Sequence, residues 1–323
     1  MSKSVLVSGA NGFIGRHLCA GLRRDGHRVI ALLRTPPCGD GQAVDVPWDE
    51  WRLADFERYP PDDIADGAEV VCHLAALVQA RGVDESRYQR VNVEGTHHLL
   101  AAATRAGARG FIHFSSIKAA GETSRGCVDE SAPARPETAY GRSKLEAERA
   151  VHAADALDWR VNLRLSPVYG ERMAGSLRQL SHAVRAGWLP PLPAIENRRS
   201  FVHVADVVRV VSCLVGTPVL GKKTYYVSDG HAYSTGYIVS LIRRSLGRPL
   251  SRWHSPLLLW RALALGGDLA GRLLRRPMPF DGNRYRAMFA DACYCNHLLR
   301  AETGFDPACN LDAFFCDGRE TDA

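Results

Sequence analysis

The chain has 323 residues, enough for one large domain or two smaller ones around a sizeable core. Its 46% hydrophobic and 24% charged residues are ordinary for a globular protein. The net charge of +6 is scattered rather than gathered in a block. This argues against dedicated nucleic-acid binding, while phosphate-bearing small molecules remain natural partners. Nine cysteines form no CxxC pair and no zinc-type spacing with histidines, so no metal site is expected. Cys293 and Cys295, the close pair, read as unlinked thiols. The N-terminal Met1-Ser-Lys-Ser-Val5 runs straight into a strand without a signal-peptide apolar region, and a reduced, cytoplasmic compartment is expected.

Residues 4–8 predict a short apolar strand, then a glycine turn and a helix with Phe13, Ile14, Leu18 and Leu22 at helical spacing, closed by Gly26. Further strands are predicted at 28–33 and 69–74. A long helix over 84–106, closed by Gly107, precedes strand 110–114, helix 140–156 and strand 160–165. This β-α-β alternation predicts an α/β fold with a doubly wound parallel Rossmann sheet. After Pro167 the pattern loosens. Residues 185–200, rich in proline and arginine, read as a loop crossing a site. Helix 204–215, strand 224–228 and helix 234–246 follow, the last with Ser234 or Thr235 as its N-cap. Residues 257–268 are apolar but interrupted by Arg261 and Asp268, too short and too charged to span a membrane. They predict a buried or interfacial helix without stable membrane insertion, loose membrane association being the lesser alternative. The expected division is a dinucleotide-binding domain over 1–165 plus about 202–230. A smaller, mostly helical substrate domain over about 166–201 plus 231–323 would sit at the carboxyl ends of the strands.

Gly9-Ala-Asn-Gly12-Phe13-Ile14-Gly15 follows the first strand and opens the first helix. Glycines there permit a tight turn, close approach of backbone to a pyrophosphate and close helix–strand packing. The helix N-terminus offers free N–H groups to the phosphates. At the tip of the second strand, Leu32-Leu33-Arg34 lacks the acid that usually holds the ribose hydroxyls of NAD. Arg34 therefore tips the expectation from NAD toward NADP. Asp55 and Phe56 are expected after a third strand, beside the adenine, with a plain loop as the equal alternative. Leu74, Ala75 and Ala76 end the next strand with room for a cofactor, while His73 reads as a packed core histidine.

Tyr140 and Lys144 lie four apart on a helix and so share a face. The lysine's charge is expected to favour ionisation of the phenol and proton exchange near neutral pH. With the glycine turn, His73-Leu-Ala-Ala76, Val91-Asn-Val-Glu-Gly-Thr96 and Phe114-Ser-Ser116, the chain resembles the extended short-chain dehydrogenase/reductase family. The similarity continues through Leu163-Arg-Leu-Ser-Pro-Val-Tyr-Gly170 and Arg199-Ser-Phe-Val-His-Val-Ala-Asp206, and is strongest to the nucleotide-sugar epimerase/dehydratase/reductase branch.

The resemblance implies that Ser116 hydrogen-bonds the reacting sugar oxygen, Tyr140 passes the proton, and Lys144 holds the nicotinamide ribose. It also implies that Asn92 shapes the active-site backbone, that Pro167 and Val168 border the cofactor, and that Arg199 meets a nucleotide diphosphate. Lys118, Ser166 and Arg286 complete the candidate substrate contacts, with Arg172 a further phosphate candidate; Arg172 and Arg286 each read more readily as ordinary surface arginines. Dehydratases of this branch carry Asp-Glu where this chain has Ile117-Lys118, which argues against dehydration. Ala120 before Gly121 loosens the link to galactose-type epimerases. The expected activity is NAD(P)-dependent reduction of a nucleotide-linked 4-keto sugar. A 4-epimerase is the alternative, and a non-catalytic dinucleotide sensor the alternative of another class. A homodimer through helices 84–106 and 140–156 is a family-level expectation.

Overall fold

The computed structural model describes residues 2–37, 46–80, 82–250, 253–274, 276, 278 and 280–316. Its strands are β1 (Ser4–Ser8), β2 (Arg28–Leu33), β3 (Glu50–Leu53), β4 (Val70–His73), β5 (Gly110–Ser116), β6 (Cys127–Val128), β7 (Trp159–Leu165), β8 (Val168–Tyr169), β9 (Val202–His203), β10 (Gly221–Val227) and β11 (Cys293–Tyr294). Seven form one sheet in the order β10-β7-β5-β4-β1-β2-β3, and every neighbouring pair is parallel. Strands buried on both faces read as continuous apolar runs, as β2 does with Val-Ile-Ala-Leu-Leu.

The helices of the first half are α1 (Phe13–Arg24), α2 (Glu85–Tyr88), α3 (Gly95–Arg105) and α4 (Ala139–Ala153); α5 (Ser176–Arg185) and α6 (Val204–Gly216) follow. Successive residues of a strand point to opposite faces. Val5 and Val7 accordingly join Leu18 of α1 and Val207 of α6 in one core. Leu6 joins Leu99 of α3 and Val151 of α4 in the other. Two helix layers thus enclose the sheet, the doubly wound arrangement expected. The predicted helix 84–106 is continuous but changes pitch, with one π-helical turn at Gln89–Glu94 between α2 and α3.

The remaining helices are α7 (Thr235–Ser245), α8 (Leu257–Leu274), α9 (Gly282–Phe289), α10 (His297–Thr303) and α11 (Leu311–Cys316). A separate core of Tyr169, Leu177, Phe201, Ile242, Trp260 and Phe314 knits α5, α7, α8 and α11 together beside the sheet. Ser234 is the N-cap of α7, its hydroxyl accepting the Tyr237 N–H at 3.0 Å.

Two expectations are corrected. The cysteines are not all thiols: β6 and β11 pair in parallel and a disulfide joins Cys127 to Cys293, leaving Cys295 free. The partners are 166 positions apart, so no local spacing signals them. The helix at 257–268 extends to Leu274, and of the two expectations for it, buried or interfacial, the buried one is overturned, since only Trp260 and Ala264 are buried along it.

Candidate active site

In doubly wound sheets ligands bind beyond the carboxyl ends of the strands, where the strand order reverses. Here the reversal lies between β1 and β4, whose last residues Ser8 and His73 are register partners. Gly9 turns the chain at φ +69°, and the Gly12 N–H donates to its carbonyl at 3.0 Å. A Cβ on Gly15 would lie 2.2 Å from the Gly9 oxygen, and one on Gly9 2.9 Å from the Ala75 nitrogen. Only bare backbone lets helix, turn and β4 exit close together. No side chain caps α1, so its first-turn N–H groups remain available to an anion. Phe13 and Ile14 open that helix. This cradle fits the pyrophosphate of a dinucleotide.

A hydrogen-bonded chain stiffens the floor. The Ser8 hydroxyl accepts the Leu74 and Ala75 N–H groups, both at 3.1 Å, so its proton goes to His73 Nδ1 at 2.7 Å. His73 then carries its ring proton on Nε2 and donates to Thr96 at 3.1 Å, and Thr96 donates to the Asn92 carbonyl at 2.6 Å. Burial, with the charge of Lys144 second, holds His73 down at about 3, so it is neutral. Asn92, buried in the π-helical turn, accepts the Leu77 N–H at 2.7 Å and donates to the Leu77 carbonyl at 3.1 Å and the Ser143 hydroxyl at 2.9 Å. It therefore ties the segment carrying Ala76 to α4. Asp55 and Phe56 follow β3; Phe56 packs on His73 at 5.4 Å, while Asp55 accepts the Glu57 N–H. Arg34, one residue past β2, is exposed and makes no ion pair among the described residues.

Beside this floor, α4 presents Tyr140 and Lys144. Thr138 caps the helix, accepting the Gly141 N–H at 3.1 Å while donating to Glu122 at 2.7 Å. A Cβ on Gly141 would lie 2.5 Å from the Lys118 carbonyl, so the glycine lets α4 press against the turn after β5. The Ser116 hydroxyl consequently comes close to that of Tyr140. Burial pushes the Tyr140 phenol up to about 12, and the neighbouring Ser116 hydroxyl offsets this only in part. Burial also lowers Lys144 to about 7, opposed by the nearby Glu148 carboxylate. The Lys144 ammonium donates to His113 Nε2 at 2.9 Å, and burial is the largest influence on the Tyr140 phenol.

His113, Glu148 and Arg164 were not singled out from the sequence. His113 Nδ1 donates to Asn162 Oδ1 at 2.9 Å, which fixes the ring so that Nε2 faces Lys144. Burial, with Lys144 second, keeps His113 well below its ordinary value. The Glu148 carboxylate takes Arg164 Nη2 at 2.7 Å and the Ser115 hydroxyl at 2.5 Å. A legible signal existed: Arg160, Asn162 and Arg164 alternate along β7, a polar stripe in a strand that is otherwise apolar and wholly buried.

Of the candidate substrate contacts, Ser166 is buried at the end of β7, and its hydroxyl has no hydrogen-bond partner among the described residues. The Pro167 carbonyl accepts the Val202 N–H, and Val168 pairs with Val202. The Lys118 ammonium is paired with Glu122. Arg199 is locked by backbone bonds to Tyr233 at 3.0 and 2.9 Å and donates to the Ala287 carbonyl. No described carboxylate neutralises it, and burial lowers its pKa. Arg286 is exposed and paired at 2.9 Å with Glu137, the residue before the α4 N-cap. Arg172 is exposed in a left-handed turn.

Residues 5–228 match the NAD dependent epimerase/dehydratase family, and the chain belongs to that family of enzymes. The UDP-glucose 4-epimerase of Vibrio cholerae is 31% identical over 283 residues, 84% of each chain. Sterol demethylase protein B of Methylococcus capsulatus is 28% identical over 327 residues, 96% of each chain. Among solved structures, MoeE5 in complex with UDP-glucuronic acid and NAD superposes with a TM-score of 0.76 at 25% identity, covering 98% of this chain and 97% of its own.

Proposed function

We propose that the chain is an NAD(P)-dependent oxidoreductase acting at carbon 4 of a nucleotide-diphosphate sugar, reducing a 4-keto group. The observation that carries this reading is the Ser116–Tyr140 hydroxyl pair beside the dinucleotide cradle. When bound, the nicotinamide supplies the hydride. The glycine turn and the start of α1 would hold the pyrophosphate, Lys144 the nicotinamide ribose, and Arg34 a ribose phosphate. Ser116 hydrogen-bonds the sugar carbonyl oxygen, and Tyr140 gives it a proton as alkoxide character develops. A half-buried phenol near 12 is protonated at neutral pH, the form a donor requires. Arg199, a cation without a carboxylate, suits the diphosphate.

A second reading, 4-epimerisation, is favoured by the relation to the Vibrio cholerae 4-epimerase. In that case Tyr140 alternates between base and acid while the sugar turns. The experiment is to identify any dinucleotide released from the purified protein, titrate NADPH and NADH, and assay UDP-linked 4-keto and 4-hydroxy sugars. A site that prefers NADPH and consumes it with a 4-keto sugar supports reduction. Co-purifying NAD with interconversion of 4-epimers would overturn it. Tyr140→Phe is expected to abolish turnover and leave the cofactor titration unchanged; full activity would refute the role of Tyr140.

A further inference from the structure

Helix α8 is oriented against the usual rule for a helix at a protein surface. Two of its glycines face inward: a Cβ on Gly267 would lie 1.9 Å from the Phe280 carbonyl oxygen, and one on Gly271 3.2 Å from that of Arg276. Asp268, the helix's one acid, also turns to this side and accepts the Gly282 N–H at 3.1 Å. Trp260 anchors the same face, donating to the Ser255 hydroxyl at 2.7 Å and packing on Phe280 and Phe289. These contacts fix the rotation of the helix. The opposite face is then forced outward, and it is made of Leu258, Leu259, Leu263, Leu265, Leu269 and Leu273, each 50–75% exposed. Only alanine and glycine lie between them. Such a contiguous leucine face on water marks an interaction surface.

The exposed charges on the helix and just after it are of one sign. Arg261 and Arg272 border the leucines along one flank and Arg276 follows the helix; all three are exposed. No exposed carboxylate lies on α8 to balance them. Trp253, 61% exposed, stands just before the helix. Pairing with a second copy about a two-fold axis would set Arg261 against Arg272 if antiparallel, or each against itself if parallel, with no exposed acid on α8 to offset either. An anionic bilayer complements both features, taking leucines below the headgroups and arginines at phosphate level. At 18 residues and with its Trp260–Gly267–Gly271 side held by protein, α8 would lie in the plane of the surface; among the described residues no helix is long and apolar enough to cross a membrane.

We propose that α8 is a monotopic docking helix that seats this enzyme on anionic lipid. The test is flotation of the full chain with phosphatidylcholine vesicles, with and without phosphatidylserine, in the absence of substrate. Binding is expected on the mixed vesicles and is released as salt rises. Leu258→Gln/Leu265→Gln/Leu269→Gln is expected to cut partitioning by about tenfold or more. Arg272→Gln should weaken binding a few-fold on the anionic vesicles alone. Thermal unfolding of each variant, unchanged from the parent, shows that the surface and not the fold was altered. Absence of binding at low salt would overturn the proposal, as would binding indifferent to the leucine changes. So would self-association in sedimentation that the leucine changes abolish.

Discussion

Arg164→Met tests how the charged network behind Lys144 is held. Arg164 and Glu148 are both buried, with side chains 9% and 4% exposed. The guanidinium makes three contacts to the carboxylate, at 2.7, 3.0 and 3.2 Å, and one to the Tyr226 hydroxyl at 3.2 Å. Removing one partner of a buried pair leaves an uncompensated charge and costs about 3–5 kcal/mol. The Ser115 hydroxyl stays on Glu148, and Lys144 is charged below about pH 7, so the lower end, about 3 kcal/mol, is expected near neutral pH. Glu148→Leu alone should cost a similar amount by stranding the arginine. The double variant, which buries two apolar side chains, should return to within about 1 kcal/mol of the parent. Urea unfolding of the four proteins closes the cycle, with a coupling of about 3 kcal/mol or more. A cost below about 1 kcal/mol for Arg164→Met, or strictly additive costs, would refute a desolvated pair.

The depressed pKa of Lys144 makes stability pH-dependent. Between about 7 and 10.5 the unfolded chain holds a proton that the folded chain has lost, so the unliganded protein should gain stability as pH rises through that window, by up to about 1.4 kcal/mol per pH unit. Urea midpoints at pH 7 and 9 should show the gain in the parent and its loss in Lys144→Met; an equal gain in both would assign it elsewhere. His73 and His113 are neutral in the fold, so stability should fall as pH drops below about 6.5, where the unfolded imidazoles take up protons. His73→Asn should make that fall shallower in acid titrations followed by circular dichroism; an unchanged slope would rule out His73 as a contributor. Gly141→Ala drives a methyl to 2.5 Å from backbone, so α4 must move. It should cost about 1–3 kcal/mol and lower kcat more than cofactor affinity, and parental kcat would count against the Ser116–Tyr140 contact. Gly15→Ala should instead weaken NADH or NADPH binding about tenfold or more in fluorescence titrations, since its methyl meets the Gly9 carbonyl at 2.2 Å; unchanged affinity would refute the cradle.

Much of this molecule is local and therefore legible in its sequence. The apolar runs of β1 and β2 and the strand–turn–helix around Gly9, Gly12 and Gly15 need only neighbouring residues for their definition. Tyr140 and Lys144 share a face because of helical pitch, and Ser234 caps α7 through a contact three residues ahead. What the tertiary structure alone decided joins distant segments. The sheet order sets Ser8 beside His73; the β5–β7 pairing sets His113 beside Asn162, and the packing of α4 brings Lys144 to that histidine. The approach of β11 to β6 joins Cys127 to Cys293. Helix α8 makes the same point on the surface. Its leucine-rich pattern announces an apolar face, but whether that face turns inward depends on the Phe280 and Arg276 carbonyls that meet Gly267 and Gly271. Periodicity fixes which side chains share a side of an element, whereas burial and pKa depend on what another part of the chain places against that side.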